Sequence, residues 1–418
     1  MADGTKEQSA DFQSNWRRKF FIIWAGQGFS LFGSQIVQFA LIWWLTLRTG
    51  SATVLATATI VGLAPQILLT PFAGAIVDRL RRRTVMIVAD GLIALSTLSL
   101  VILFLIGAVE IWHVYVVMLA RASLQAFHWP AWNAATTLMV SKEHLARVGG
   151  LNQSIAGLAN ILAPASGAVM MVLMPMYAVL SIDILTAALA VLPLLMIRIP
   201  EPGKVEGGQR KSVTGDMVDG FRFIRDWPGL LMLLVIVTVI NLLTVPAFAL
   251  TPILVVDHFH GGAIEFATLE SIFGDGVVLG GLALGAWGGF KKSMLTVLAG
   301  LVAMGVGTTA VGFVPASGFL IAVAVLFFVG MTSPIVNGSL HAVVQKAVRP
   351  DMQGRVFALI SSAATAATPL GLVAAGPIAD SYGVQIWFIA GGLATLILGI
   401  MCLFLPSVMN IEENANGG

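Results

Sequence analysis

The sequence predicts an all-α membrane protein with twelve transmembrane helices in two pseudo-symmetric six-helix bundles. Two observations carry this prediction. Hydrophobic residues make up 57% of the 418 positions and charged residues only 11%, against about 25% charged residues in ordinary soluble domains. In addition, apolar runs of about 20 residues, the length that crosses a bilayer, recur along the whole chain. A water-soluble fold with this composition would expose large apolar patches and associate.

The apolar runs fall into two sets of six. The first set covers 20–47, 54–77, 84–107, 112–140, 151–174 and 177–199, and the second covers 229–256, 268–289, 293–314, 318–344, 356–378 and 384–405. The longest polar stretch between runs separates the two sets. The predicted organisation is therefore an N-terminal tail, a first bundle, a linker, a second bundle and a C-terminal tail, at 1–19, 20–199, 200–228, 229–405 and 406–418.

The basic residues predict the orientation in the membrane. If the N-terminus is cytoplasmic, all but two of the 23 Lys and Arg residues fall in cytoplasmic segments, and the exceptions are Arg48 and Arg121. Cytoplasmic loops of membrane proteins carry an excess of Lys and Arg. Both termini are therefore expected in the cytoplasm, with the chain in the inner or plasma membrane.

The two predicted bundles share sequence features that indicate a tandem duplication. Pro130 and Asn133 in predicted helix 4 correspond to Pro334 and Asn337 in predicted helix 10, and a basic cluster follows both helix 2 and helix 8. Because six helices return the chain to the same side of the membrane, the two halves are predicted to be parallel repeats. A two-fold axis along the membrane normal should superpose Asn133 on Asn337.

The strongest local motif ends predicted helix 2 and has the form G-x-x-x-D-R-x-x-R-R, from Gly74 through Asp78, Arg79 and Arg82 to Arg83. Gly74 would let helix 2 approach a neighbouring helix closely. Asp78 could hold an Arg or a helix N-terminus in a contact that breaks during a conformational change. The motif therefore predicts a conformational latch. The alternative is that its arginines only anchor the loop in the cytoplasm.

This motif resembles the loop 2–3 signature of the major facilitator superfamily, whose twelve-helix plan agrees with the whole chain. A second stretch from Arg121 to Ala134, which includes Ala126-Phe127-His128-Trp129-Pro130, is similar to the macrolide-efflux branch. That branch also contains exporters of siderophores and lysophospholipids. The second-half counterpart of the motif, residues 285–290, has no acid at the position of Asp78. Any latch is therefore expected in the first half only.

Polar residues repeat along one face of predicted helices 1, 4, 7 and 10, the helices that line the central cavity in the family that the chain resembles. The spacing is i, i+3, i+7 and i+11 in helix 1 and i, i+4, i+7 and i+11 in helix 4. The alternative is hydrogen bonding between helices, worth about 0.6 kcal/mol per bond. The predicted cavity-lining residues are Gln27, Ser30, Ser34, Gln38, Gln125, His128, Trp132, Asn133, Asn241, Thr244, Phe248, Asn337 and His341.

Few charges lie inside the predicted helices. Arg121 lies about 13 Å into helix 4 at 1.5 Å per residue, and an unpaired Arg at that depth is costly. In its own half, Asp183 has a compatible depth, whereas Asp90 lies at the cytoplasmic end of helix 3. We therefore predict an Arg121–Asp183 pair. If protons drive transport, Asp183 and Asp275 are the candidate carriers, although Asp183 could equally be a static partner of Arg121.

The sequence contains no motif that would make the chain an enzyme. It has no phosphate-binding Gly-rich loop ending in Lys-Ser or Lys-Thr, no H-E-x-x-H and no G-x-S-x-G. Its one cysteine, Cys402, excludes an intramolecular disulfide and a cysteine-ligated metal site. No cofactor, metal or nucleic-acid partner is expected. A monomer embedded in the lipid bilayer and driven by an ion gradient is expected.

Together with the resemblance, these features predict secondary-active export of an amphiphilic, macrolide-like small molecule by alternating access, with protons as the candidate coupling ion. A carrier of siderophores, lysophospholipids or metabolites is the alternative within the same fold. A membrane sensor or scaffold that does not transport is the alternative outside transport.

Overall fold

The computed structural model describes residues 15–200 and 221–412, in which the chain is helical and has no strand. The predicted all-α fold class is confirmed. The described part holds twelve long helices: α1 Trp16–Thr49, α2 Ala52–Val77, α3 Arg82–Leu105, α4 Ile111–Met139, α5 Leu145–Leu173, α6 Met176–Met196, α7 Pro228–Ala249, α8 Ala263–Trp287, α9 Ser293–Phe313, α10 Phe319–Ala347, α11 Pro350–Tyr382 and α12 Gln385–Leu403. Most of the predicted linker and parts of both predicted tails (1–14, 201–220 and 413–418) lie outside the described residues.

Among these helices, 11 are long and apolar enough to cross a membrane. The exception is α4. Its length of 29 residues is sufficient, so its lower hydropathy sets it apart. This is the helix that carries Arg121, Gln125 and His128. Polar side chains concentrated in one spanning helix need partners inside the protein, because lipid offers none.

Helix boundaries follow the apolar runs except where proline or a polar extension intervenes. The predicted run 229–256 ends as α-helix at Ala249, and the chain continues as a short turn Thr251–Ile253 and a π-helical turn Leu254–His258. Pro252 lacks the N–H that a continuing α-helix needs. At the other extreme, α11 begins at Pro350, before the predicted apolar run at 356.

The chain divides into two compact units. The described part of unit 1 comprises residues 15–45 and 60–200, and that of unit 2 comprises 46–59 and 221–412. The division falls inside α1 and α2, so the last residues of α1 and the first eight of α2 pack with unit 2. Residues 221–226, which we assigned to the linker, are helical. The predicted boundary at 200–228 stays a prediction.

The two units share several helix contacts. In unit 1, α3 packs against α4 and α6, and in unit 2 the equivalent helix α9 packs against α10 and α12. Gly26 of α1 lies against Leu189 of α6, as Gly391 of α12 lies against Leu243 of α7. This correspondence is expected of a tandem duplication. The superposition of Asn133 on Asn337 stays a prediction.

The α8–α10 contact shows how small residues build these units. A Cβ atom added at Gly276 or Gly280 of α8 would collide with the backbone of α10, at Phe327 O and Met331 O. Without a driving force from water, helices in lipid associate through such close backbone packing. The glycine pair, four residues apart, therefore sets the distance between these two helices.

Candidate transport site

A buried ion pair joins α4 and α6 within unit 1. Arg121 of α4 contacts Asp183 of α6 through its guanidinium group, and the Asp183 side chain is fully buried. Asp183 also accepts a hydrogen bond from Ser34 of α1 at 2.8 Å and one from Thr97 of α3 at 2.7 Å. Arg121 contacts Thr97 as well. The structure therefore brings together residues from four helices around one carboxylate.

The Asp183 carboxylate has the contacts of a group that stays ionised. Both of its oxygens accept hydrogen bonds, and one donor carries a permanent positive charge. Removing one partner of a buried pair costs about 3–5 kcal/mol, because the other charge is left without compensation. Proton uptake by Asp183 would leave the buried charge of Arg121 without a compensating charge. The geometry favours a static role for this pair.

A second polar cluster lies along the same helices. Gln27 of α1 donates a hydrogen bond to Asp90 of α3 at 3.0 Å, and His128 Nε2 of α4 lies 3.2 Å from the other oxygen of Asp90. Asp90 and His128 are 4% and 7% exposed. Neither nitrogen of the His128 ring has a hydrogen-bond partner of good geometry among the described residues. Asp90, predicted near the cytoplasmic end of α3, is thus a partner of His128.

The two clusters are related by a spacing of seven residues on each of three helices. Seven residues correspond to two helical turns, or about 10.5 Å along the axis. The same faces of α1, α3 and α4 therefore carry both clusters. The pairs are Gln27 and Ser34, Asp90 and Thr97, and His128 and Arg121. Thr97 was missed by sequence reasoning, although its seven-residue spacing from Asp90 matches that of Ser34 from Gln27.

The remaining cavity-lining candidates of unit 1 have different environments. Ser30 is buried, Gln38 and Gln125 are half-buried, and Asn133 is exposed. Trp132 is packed in the hydrophobic core, where its ring stacks on Phe20 with centroids 6.3 Å apart. The structure thus gives Trp132 a core contact rather than the cavity position we expected.

In unit 2, the predicted polar residues mostly bond within their own helix or between neighbouring helices. Asn241 donates to Val237 O at 2.9 Å and Asn337 to Ser333 O at 3.0 Å. Thr244 lies 3.3 Å from Thr395 of α12. The aromatic candidates have ring contacts: Phe248 packs on Phe273 and Phe388, and His341 stacks on Phe357. The charged networks described above are in unit 1.

Two of the three acids of α8, Glu270 and Asp275, have surroundings unlike those of Asp90 and Asp183. The side chains of Asp275 and Glu270 are exposed, and neither makes a hydrogen bond or an ion pair with the described part of the chain. Asp275 was predicted as a proton carrier, and in the structure its side chain is exposed at the surface of the described protein. It does not bring Asp275 into contact with the other predicted site residues.

The loop motif after α2 is held by its arginines. Asp78 Oδ1 lies 3.7 Å from Arg82, and Arg83 donates to the carbonyl oxygens of Leu194 and Leu195, which lie in the last turn of α6. A cation at a helix C-terminus is favourable because it compensates those carbonyls. Arg79 is exposed. Arg83 therefore ties the start of α3 to the end of α6.

Gly74 does not have the role that the sequence suggested. We predicted that it lets α2 approach a neighbouring helix, but a Cβ atom added at Gly74 would meet no atom of the described residues within 4 Å. The space around it is open. Close packing in this chain is instead set by other glycines, such as Gly276.

Within unit 2, Asp380 near the end of α11 caps the beginning of α2. Its carboxylate accepts hydrogen bonds from the backbone N–H of Ala52 at 2.6 Å and of Thr53 at 3.1 Å, and from the hydroxyls of Ser51 and Thr53 at 3.1 and 2.5 Å. An anion at a helix N-terminus satisfies free N–H groups. Gly376 permits the contact, since its Cβ would lie 2.6 Å from Thr53 Cα.

An apolar groove of about 490 Å³ lies between α9 and α10 and contains none of the predicted site residues. Its lining is apolar throughout, so it offers no group that would orient a polar ligand. The lining residues are Val306, Gly307, Ala310, Leu320, Ile321, Ala324, Val325 and Phe328. We do not assign it to transport.

The helix plan, the repeated contacts and the loop motif agree with one family of proteins. The family model described as Major Facilitator Superfamily matches residues 23–371 and 243–416. The chain belongs to this superfamily. It is accordingly a transporter and not an enzyme, and a multi-pass protein of the plasma membrane.

Relatives place this superfamily member in the macrolide-efflux branch. It is 34% identical over 399 residues to Macrolide efflux protein A of Streptococcus pyogenes, with 96% of this chain and 98% of the relative covered. It is 33% identical over 323 residues to Macrolide efflux protein A of Enterococcus faecalis, covering 77% and 100%. It is 27% identical to the multidrug efflux pump Tap of Mycolicibacterium fortuitum, covering 91% and 94%. The predicted branch is confirmed.

Solved structures show the same superfamily fold at low sequence identity. A point mutant of the nucleoside transporter NupG matches with a TM-score of 0.74 at 14% identity, covering 94% of this chain and 100% of the other. A bacterial homologue of the iron transporter ferroportin matches with a TM-score of 0.70 at 14% identity, covering 92% and 98%. At this identity, the likeness concerns the fold.

Proposed function

We propose that the chain exports macrolide-like amphiphilic molecules across the plasma membrane. One observation carries the proposal, namely the 34% identity to Macrolide efflux protein A over 96% of this chain and 98% of that relative. The exposed polar and aromatic residues of unit 2, such as Asn337 and His341, can contact an amphiphilic ligand. We propose further that one chain transports as a monomer.

A competition assay tests the substrate class. Inverted membrane vesicles from cells that express the chain are energised, and uptake of labelled erythromycin is measured with unlabelled macrolides, siderophores or lysophospholipids as competitors. We expect macrolides to compete, and vesicles without the chain to show no uptake. Uptake of only a siderophore or a lysophospholipid would replace the proposed substrate class. Absence of any transport would favour a sensor or scaffold.

We propose that export proceeds by alternating access, in which the units move about a central site. The cap formed by Asp380 supports this proposal. The first residues of α2 are held by α11 within unit 2, whereas α2 from residue 60 belongs to unit 1. If α2 moves with unit 1 as a rigid helix, these hydrogen bonds must break. The predicted orientation puts this end outside the cell.

Removing the cap should make the beginning of α2 more accessible. Loss of a helix N-cap costs about 0.5–2 kcal/mol. In the upper half of that range, about 1–2 kcal/mol, the cost shifts the equilibrium between the closed and open cap by about 5–30-fold. We expect the substitution Asp380→Ala to raise by that factor the rate at which a maleimide modifies a cysteine at position 54, introduced as Val54→Cys in a Cys402→Ser background. Val54 is half-buried near the beginning of α2 and is not one of the cap donors. Gly376→Ala, which crowds Thr53, should act in the same direction.

Asp257 provides the matched control for the cap. Burial raises the pKa of Asp257, the charge of Asp380 raises it further, and His260 opposes the shift. Removing the Asp257 charge relieves repulsion on Asp380 and breaks none of the cap's bonds, so Asp257→Asn should not increase the modification rate. Equal rates in Asp380→Ala and in the background protein would refute the cap as a closed contact.

We propose that an ion gradient drives export, with protons as the coupling ion. The sequence offers no nucleotide-binding motif through which ATP hydrolysis would drive it instead. Among the predicted carriers, Asp275 is accessible, whereas Asp183 already accepts bonds from Ser34, Thr97 and Arg121. A proton that drives transport must bind to its site and leave it in every transport cycle. That requirement disfavours Asp183 and directs attention to the second cluster of unit 1.

A further inference from the structure

The two polar clusters of unit 1 differ in how completely their groups are bonded. Around Asp183, each carboxylate oxygen accepts a hydrogen bond and the countercharge is a guanidinium, which does not lose its proton. Around Asp90, one oxygen accepts a bond from Gln27, and the other faces an imidazole that makes no well-formed hydrogen bond. Only the second cluster can gain a proton and thereby improve its own bonding.

We propose that His128 and Asp90 form the binding site of the transported proton, an inference that rests on the proposed proton-driven export. Histidine is the side chain whose charge changes between about pH 5 and 8. Proton binding at His128 would turn a neutral ring 3.2 Å from a carboxylate into an ion pair. Gln27 positions the carboxylate through its 3.0 Å hydrogen bond and carries no charge itself.

The step is balanced without a further reactant. In the unloaded site, His128 is neutral and Asp90 is ionised, so the site carries one negative charge. A proton from water forms an N–H bond on an imidazole nitrogen that has no partner, and the site becomes neutral overall. Release to water on the opposite side breaks the same bond. No electron transfer or other bond change takes part.

The charges around His128 leave Asp90 as its partner. On α4 itself, Arg121 lies two turns away and is paired with Asp183 of α6. On α3, the nearest basic groups are Arg82 and Arg83 at its beginning, which contact Asp78 and the end of α6. On α1, the residue that bonds Asp90 is the uncharged Gln27. The proton at His128 therefore acts mainly on its contact with Asp90.

Burial gives this site leverage over the conformation. Asp90 and His128 are 4% and 7% exposed, and electrostatic interactions strengthen as water is excluded. Gain or loss of one charge between α1, α3 and α4 therefore changes how these helices hold together. Coupling of proton binding to export requires such a change, in which the charge of one site favours one of two arrangements of the helices over the other.

Two transport measurements on the same vesicles separate proton coupling from substrate movement. The first is accumulation of labelled erythromycin driven by a pH gradient of one unit, which supports about tenfold accumulation at one proton per substrate. The second is exchange of labelled for unlabelled erythromycin in vesicles de-energised with a protonophore. The variants are His128→Gln, which cannot take up the proton, and Asp90→Asn, which removes the carboxylate that would pair with the protonated ring. His260→Asn is the control, because His260 is exposed and its φ of 53° suits asparagine.

We expect both site variants to lose the roughly tenfold accumulation and to lose less of the exchange activity, because exchange involves no net proton movement. The control should keep both activities. Wild-type accumulation in either site variant would overturn the proposal. Failure of His128→Gln to fold would also overturn it, because the unloaded site holds a neutral side chain at that position.

Proton uptake by purified protein tests the site without any substrate. When the pH is lowered, wild-type protein should bind one more proton per molecule than His128→Gln or Asp90→Asn. Equal uptake would overturn the proton site even if erythromycin is transported. Normal differential uptake in a protein that neither accumulates nor exchanges erythromycin would instead overturn the proposed function and leave the proton site standing.

Discussion

Replacing Arg121 or Asp183 alone is expected to remove most of the folded protein. Asp183 is fully buried, and each substitution, Arg121→Gln or Asp183→Asn, leaves one charge in a site closed to water. The expected cost is about 3–5 kcal/mol for each single variant, which is a large fraction of the stability of a typical domain. The yield and the thermal unfolding temperature of the purified protein in detergent measure this loss.

The double variant decides whether the two residues act as a pair. With both charges removed, the two introduced amide side chains can still hydrogen-bond to Ser34 and Thr97, so the combination Arg121→Gln with Asp183→Asn should recover most of the yield. Ser34→Ala is the matched control, since it removes one neutral donor at a cost of about 1 kcal/mol. Additive losses in the cycle would contradict the pairing, because coupled residues show a non-additive term.

Asp78→Asn is expected to lower transport at least about tenfold while the protein still inserts in the membrane. Asp78 is half exposed and lies 3.7 Å from the largely buried Arg82. A long ion pair that solvent reaches on one side contributes only about 0–1 kcal/mol to stability. A large effect on transport would therefore reflect a conformational contact rather than the fold. Labelled erythromycin uptake per molecule of inserted protein is the measurement.

The Arg225–Asp226 pair offers the control for this latch. Both side chains are 63% exposed and 3.5 Å apart, so Asp226→Asn removes a comparable exposed acid outside the motif. It should leave transport unchanged. If a well-expressed Asp78→Asn variant transports like the wild type, the motif only anchors its loop, and the latch is ruled out.

The helices could be predicted from the sequence because each satisfies the bilayer on its own. The run at 84–107 became Arg82–Leu105, and the run at 293–314 became Ser293–Phe313. The prediction was less accurate where a proline or a polar surface intervened, as at Pro252 after α7 and at the beginning of α11. Hydropathy cannot predict helical residues that are polar and extend past the apolar run, such as those at the beginning of α11.

The Arg121–Asp183 contact could be inferred by elimination, since a deep arginine needs an acid at the same depth and Asp183 was the suitable one in that half. Thr97 and the His128–Asp90 contact could not, because they depend on the rotation of α3 against α4. Sequence spacing gives the face of one helix but not its facing partner.

The cap by Asp380 was also missed, and for a related reason. Asp380 follows the predicted run 356–378 and resembles an ordinary loop residue in the sequence. Its bonding partners, Ala52 and Thr53, are more than 300 positions away in the chain. Only the fold brings an acid to a helix N-terminus at that distance. In the same way, Gly74 looked like a packing residue, yet open space surrounds it.

Accumulation of a macrolide by the purified protein tests the central claim, proton-driven export, most directly. The protein is reconstituted into liposomes, a pH gradient is imposed, and internal labelled erythromycin is measured before and after the gradient is dissipated. Proton-driven export predicts accumulation above the external concentration that collapses when the gradient is removed and is absent from liposomes without protein. Equal internal concentrations with and without the gradient would contradict it.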